Sequence, residues 1–207
     1  MPIDRSRGIV LASNNPGKLR EFAALLAPWG ATVQSQDCFA VPDVEETGLT
    51  FIENALLKAR AAALHTGLPA LADDSGLAVD ALAGAPGIHS ARFSGSTGSA
   101  SERDRANNAT LLERLRAVPP GMRGAEYICV LVLLRHWQDP VPIICEGRWR
   151  GQILEAPQGT GGFGYDPLFY LPSLDCSAAE LPPEQKNRLS HRALASAALL
   201  AALQTAS

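Results

Sequence analysis

The sequence predicts an α/β protein with a mixed β-sheet and flanking helices, arranged as two lobes around a central cleft. Three observations lead there. The chain opens as strand, loop and helix, the alternation that builds α/β sheets. A second buried strand follows the next helix, at residues 68–72. Two longer strand-like runs then come close together in the middle of the chain, joined by a short polar link, as in an antiparallel pair.

The elements follow in order. Ile9-Val10-Leu11-Ala12 is a short buried-strand pattern. It enters Ser13-Asn14-Asn15-Pro16-Gly17-Lys18, a turn rich in breakers, and then a helix with Leu19, Phe22, Leu25 and Leu26 on one face. Residues 36–49 read as an acidic loop holding Glu45 and Glu46. Thr50 and Glu53 form a capping box that opens a helix to about Leu64. Asn54 and Lys58, four apart, share a face of it. Leu68 to Ala72 is too short for a typical helix and suits a buried strand, which ends in Asp73-Asp74 and the turn pair Ser75-Gly76. Residues 83–100 are a Gly- and Ser-rich loop. Ser99 and Glu102 make a second capping box, opening a helix to about Leu115 that Pro119-Pro120-Gly121 closes. Residues 125–134 and 141–150 are the paired strands, and 157–167 a glycine-rich loop. After a Pro-rich entry, Ser190 caps a final Ala- and Leu-rich helix to about Leu203. No repeat or linker divides the chain, so residues 1–207 read as one domain.

Bulk properties narrow the class. A formal charge of −3 argues against a general nucleic-acid binder, which would carry a basic surface. No window is long and apolar enough to span a bilayer. Met1 to Gly8 is polar and lacks a leader's apolar stretch. Cys38, Cys129, Cys145 and Cys176 form no CxxC pair, which excludes the usual zinc spacings. Cys129 and Cys145 lie in strand-like runs, as reduced core residues do. A cytoplasmic enzyme is the expectation.

Asp73-Asp74 is the most informative pair. Two acids at the mouth of a buried strand are costly unless a cation compensates them, and hard divalent ions take carboxylate oxygens. The alternative is a solvated turn, since Asp-Asp-Ser-Gly is good turn material. Adjacent strand residues point to opposite faces, so the two acids need not share a task. Glu45 and Glu46 become metal ligands if their loop folds over the pair. Ser13 to Lys18 resembles a phosphate loop, with backbone N–H groups at a helix start and a lysine. It is not a Walker A loop, because Leu19 follows Lys18 and the first glycine is missing.

Gly159, Gly161 and Gly164 satisfy G-x-G-x-x-G, but Tyr165-Asp166-Pro167 does not open a helix, so a dinucleotide site is rejected. The glycines instead let backbone approach a flat ligand, with Phe163 or Tyr165 stacking on a base. Lys186, His191 and Arg192 gather cations at the start of the last helix, where they are disfavoured unless an anion binds. Arg92 is a possible ligand contact on its loop. His65, His89 and His136 have no metal spacing. Gly-x-Ser-x-Gly is absent, and nothing marks Ser75 as a nucleophile. Acid pairs, cations and glycine loops fit metal-assisted chemistry on a phosphorylated compound.

These motifs, in this order, resemble the inosine triphosphate pyrophosphatase family, the RdgB-type noncanonical purine nucleoside triphosphate pyrophosphatases. The matching segments are Ser13 to Lys18, Glu45-Glu46-Thr47-Gly48 with Phe51 to Ala55, and Ala72-Asp73-Asp74-Ser75-Gly76-Leu77. Gly84 to Ile88, Ser90-Ala91-Arg92, Gly161 to Pro167 and Ser190-His191-Arg192 follow. Each is weak alone, and seven in order are specific. Ser13-Asn14-Asn15 departs from the family's frequent Thr-Gly-Asn but keeps the hydroxyl and Asn15.

The resemblance implies an elongated mixed α/β fold with a central cleft, a homodimer, and Mg²⁺ as cofactor. It implies hydrolysis of inosine, deoxyinosine and xanthosine triphosphates to the monophosphate and pyrophosphate. Asp74 would be general base and metal ligand, Glu45 or Glu46 the other metal carboxylate, with Asp73 supporting. Ser13, Asn14, Asn15, Pro16, Gly17 and Lys18 would hold the triphosphate, helped by Asn54 and Lys58. Ser75 and Arg92 would contact the substrate. Phe163, Gly164, Tyr165 and Asp166 would grip the base, and Lys186, His191 and Arg192 would read its six-position oxygen. A pyrophosphatase for modified pyrimidine nucleotides and a nucleotide sensor without turnover are the rival readings. A close acid pair should titrate as a coupled unit with one pKa raised.

Overall fold

The computed structural model describes residues 7–205. Residues 1–6, most of the polar stretch that opens the sequence, and residues 206–207 lie outside the described part. Seven strands form one sheet: β1 (Ile9–Leu11), β2 (Val33–Ser35), β3 (Ala70–Val79), β4 (Gly124–Leu134), β5 (Ile143–Ile153), β6 (Phe169–Leu171) and β7 (Cys176–Ser177), in the order β2-β1-β3-β4-β5-β6-β7. β1 pairs in parallel with β2 and β3. β6 pairs antiparallel with β5 and β7. The sheet is therefore mixed, as the sequence predicts. The helices are α1 (Pro16–Leu26), α2 (Phe51–Thr66), α3 (Ala100–Arg114), α4 (Pro183–Leu189) and α5 (His191–Thr205).

The helix starts are written in the sequence. The Asn15 side chain accepts from Gly17 N at 2.8 Å and Lys18 N at 3.2 Å, and Pro16, lacking an N–H, fills the first helical position of α1. Both capping boxes form, Thr50 with Glu53 on α2 and Ser99 with Glu102 on α3. Gly67, at φ +66°, ends α2 in the left-handed conformation that glycine adopts without strain. Ser190 Oγ accepts from Ala193 N at 3.3 Å and caps α5.

Two compact units make up the chain. The first comprises the described residues up to Asp74, Cys129–Gly147 and those from Leu194 on; the second comprises Ser75–Ile128 and Arg148–Ala193. The first unit packs Phe22, Leu26, Leu71, Leu131, Leu133 and Leu199 into one core. The second packs Leu77, Leu111, Leu115, Tyr127, Trp149 and Phe169 into another. Each large apolar side chain contributes about 1.5–3 kcal/mol by leaving water. Cys129 and Cys145 are thiols inside the first core, and burial pushes the Cys145 thiol above its ordinary pKa.

Three expectations need correction. β3 does not end at Asp73-Asp74 in a turn; it runs unbroken through Ser75 and Gly76 to Val79. Its place within the sheet, between β1 and β4 in the strand order, outweighs the local turn preference. The Pro-rich entry to the last helix is itself a helix, α4, begun by Pro183. Lys186 thus lies in the last turn of α4, where a cation is favoured, and not at the start of α5. The short strands β2, β6 and β7 have two to three residues each, too few for periodicity to register.

Candidate active site

In the first unit the acids of β3 each meet a lysine from a different helix. Lys18, in the first turn of α1, binds Asp73 Oδ1, while the Cys129 thiol donates to Asp73 Oδ2 at 3.4 Å. The Asp73 side chain has no exposed area. Both its oxygens are occupied, so it orients Lys18.

Lys58, from the middle of α2, donates to Asp74 Oδ1 at 2.7 Å, Glu46 Oε1 at 2.9 Å and the Asp73 carbonyl oxygen at 2.9 Å. An ammonium has three donors, and here each has an acceptor. Burial pushes the Asp74 carboxyl above its ordinary pKa; Glu46 and Asp73 add to the rise and Lys58 opposes it. Burial would lower Lys58, but Asp74 and Glu46 outweigh it and its pKa is raised.

The loop carrying Glu46 is latched to the start of α2. Gly48 N donates to Asn54 Oδ1 at 2.8 Å, and Leu49 N and Thr50 N both donate to Glu53 Oε2 at 2.8 Å. A Cβ on Gly48 would stand 2.5 Å from Glu53 Cβ and 2.7 Å from Asn54 Oδ1, so only glycine fits this close approach. Glu46 is thereby brought to Asp74 through Lys58, while Glu45 is exposed. Asn54 is fully buried, and its Oδ1 holds the loop through Gly48 N.

A cavity of about 500 Å³ is lined by Ser13, Asn14, Lys18, Glu46, Lys58 and Asp73. Gln36 and Asp43 also line it, and no sequence signal singles them out. Asn15, Pro16 and Gly17 form the capped start of α1 beside Lys18. Among the described residues no three of His, Cys, Asp and Glu gather as a metal centre. The donor set nonetheless fits Mg²⁺. Two carboxylates already converge on one cation, the Lys58 ammonium, and Mg²⁺ is usually held by one or two carboxylates plus substrate phosphates and water.

The second unit assembles the remaining motifs around Asp166, which is almost wholly buried. Asp166 Oδ2 accepts from Phe163 N at 2.7 Å and pairs with Lys186. A Cβ on Gly162, at φ +73°, would lie 2.1 Å from that same oxygen. The glycine-rich loop therefore closes on its own aspartate. Gly164 is held from α3, its N–H donating to Asp104 Oδ2 at 2.8 Å and its carbonyl accepting from Asn108 Nδ2 at 2.9 Å.

Phe163 is 64% exposed, with the Lys186 ammonium 4.9 Å from its ring centroid, so its ring is available for stacking. Tyr165 is not available. It is buried in the second core and its hydroxyl donates to the Ser90 carbonyl at 2.8 Å. Arg192 Nη2 donates to Ser75 Oγ at 3.3 Å, bringing two predicted contacts together. His191 stacks on Tyr127 with centroids 4.7 Å apart. Arg92 is exposed at the end of the 87–92 helical turn. Tyr127 is not marked by the sequence, where it reads as one more core residue of a buried strand.

Comparison with known proteins agrees with the motif resemblance. A family model described as the Ham1 family matches residues 9–202. The dITP/XTP pyrophosphatase of Pseudomonas syringae pv. tomato is 58% identical over 90% of this chain and 92% of its own. That of Shigella flexneri is 56% identical over 95% and 98%. A solved HAM1 protein from Coxiella burnetii superposes with a TM-score of 0.90 at 47% identity, covering 96% of this chain and 98% of its own. With the model spanning nearly the whole sequence and relatives this similar over nine-tenths of it, the chain belongs to the Ham1 family.

Proposed function

We propose that this protein hydrolyses noncanonical purine nucleoside triphosphates, those of inosine, deoxyinosine and xanthosine, to the monophosphate and pyrophosphate, clearing them from the nucleotide pool before incorporation. The observation that carries this reading is the Lys58 ammonium, held by Asp74 and Glu46 in the unit where Lys18 lies at the capped start of α1. The names of the relatives, dITP/XTP pyrophosphatases, support the substrate class.

Asp74 takes a proton from the water that attacks the α-phosphorus. Lys18, Ser13 and Asn14 line the cavity and bind the triphosphate chain. Glu46 and Asp74 would hold the Mg²⁺, which supplies charge neutralisation and polarisation of phosphoryl oxygens when bound. Asp73 keeps Lys18 in place.

In the second unit, Phe163 offers its face to the base. Lys186, His191 and Arg192 offer donors to the six-position oxygen. Adenine carries an amino group there, which would leave those donors unpaired at a cost of roughly 1–3 kcal/mol. Guanine shares the carbonyl, so its rejection lies at the two-position. We take the enzyme to be a cytoplasmic homodimer that acts on free nucleotide, with one catalytic domain per chain; among the described residues no helix is long and apolar enough to cross a membrane.

The test is pyrophosphate release from inosine and adenosine triphosphates with Mg²⁺, for wild type and Asp74→Asn. Release from the inosine substrate alone, lost on substitution, is the expected result. Equal use of both substrates removes the base selectivity. Binding without release from either makes the protein a sensor.

A further inference from the structure

We infer that Tyr127 is a specificity-determining positioning residue, fixing at once the two groups that face the base. The inference rests on the base-site reading given above. Tyr127 lies on β4, and its ring and its hydroxyl have separate partners. The ring lies 4.7 Å from that of His191 at an interplanar angle of 10°. Phe169 packs against the same ring at 4.6 Å and Trp149 at 6.4 Å, so the wall behind His191 is itself fixed. The hydroxyl donates to Asp166 Oδ1 at 3.4 Å.

The hydroxyl contact matters because of what the other oxygen holds. Asp166 Oδ2 binds Lys186 and the Phe163 N–H. A carboxylate pinned by one oxygen still turns about its Cβ–Cγ bond; pinned by both, its plane is set. Tyr127 thus fixes the carboxylate that aims Lys186 and ties down the loop carrying Phe163. Burial first, and the charge of Asp166 next, push the phenol well above its ordinary pKa, so it remains a donor across the working range. One side chain therefore couples the orientation of His191 to that of Lys186, and a base is read by both in one fixed frame.

The experiment compares kcat and KM for inosine and adenosine triphosphates in wild type, Tyr127→Phe, Tyr127→Leu and Lys186→Ala, with thermal melts of each. Tyr127→Phe keeps the ring and drops the donor. It is expected to cut the inosine-over-adenosine ratio of kcat/KM about tenfold, through KM for the inosine substrate more than through kcat. Tyr127→Leu, which also removes the wall behind His191, is expected to cut it further. A ratio that falls in Lys186→Ala and stays at the wild-type value in a folded Tyr127→Phe and Tyr127→Leu overturns the role of Tyr127 alone. Equal losses on both substrates overturn it too, since a merely structural residue would act that way. A ratio unmoved by Lys186→Ala overturns the base-site reading, and the inference falls with it.

Discussion

The Lys58 ammonium lies 2.7 Å from Asp74 Oδ1, and the acid nevertheless has a raised pKa, because burial outweighs the attraction. A general base works deprotonated. The acid limb of kcat/KM should therefore sit above the usual carboxylate range, with activity rising as pH rises through Asp74's own value. Lys58 opposes the upward shift, so Lys58→Met should move that limb to still higher pH. A pH–rate profile at limiting Mg²⁺ checks both; an unmoved limb in the variant contradicts the assignment of Asp74.

Lys18 and Asp73 should show a thermodynamic coupling separate from their role in binding. Lys18→Met leaves a buried carboxylate without its ion partner, a change that typically costs about 3–5 kcal/mol. Adding Asp73→Asn should recover most of that stability without recovering KM for the triphosphate. Urea denaturation with parallel kinetics separates the two effects. If the double variant also regains its KM, Lys18 has no part in binding.

Gly48→Ala should act on the metal requirement. Its Cβ would collide with Glu53 and Asn54, forcing out the loop that seats Glu46. The Mg²⁺ concentration at half-maximal activity should rise about tenfold or more, with a smaller change in activity at saturating Mg²⁺. An unchanged Mg²⁺ titration would remove Glu46 from the metal site.

Asp139 gives a stability prediction remote from both constellations. It is buried and accepts from Arg135 N at 3.0 Å, Arg135 Nε at 2.7 Å and Val141 N at 3.0 Å, closing the link between β4 and β5. Burial would raise its pKa, but Arg135 and these backbone donors outweigh it and hold the value at about 2, against an ordinary 3.8. An acid lowered on folding contributes stability above its unfolded value and loses it as pH falls through its folded one. The contribution is about 2 kcal/mol, present at neutral pH and lost between about pH 4 and pH 2. Asp139→Asn should lower the melting temperature at pH 7 and narrow the gap to wild type near pH 2. A pH-independent difference would contradict the ionic account.

Much of this was legible in the residues. The capping boxes at Thr50 and Ser99 and the breakers after β1 carry their own chemistry, and all lie where the motifs put them; Asp73-Asp74 lies on the predicted strand, though inside it and not at its end. What escaped depends on partners distant in sequence. β3 continues through a turn-like tetrapeptide because neighbouring strands complete it. Asn54 faces Gly48, and Tyr165 faces the Ser90 carbonyl, so two polar side chains that look ready for a ligand are used internally. Glu46 and Glu45 differ only in which way the latched loop turns them. Tyr127 sits in a continuously buried strand, where it looks like core until Asp166 and His191 arrive from 39 and 64 residues further on.

The glycine-rich loop is closed on Asp166 by the chain's own groups. Phe163 N, Lys186 and Tyr127 all meet that carboxylate, and α3 holds Gly164 from the other side. Its ordering entropy belongs to folding and not to association.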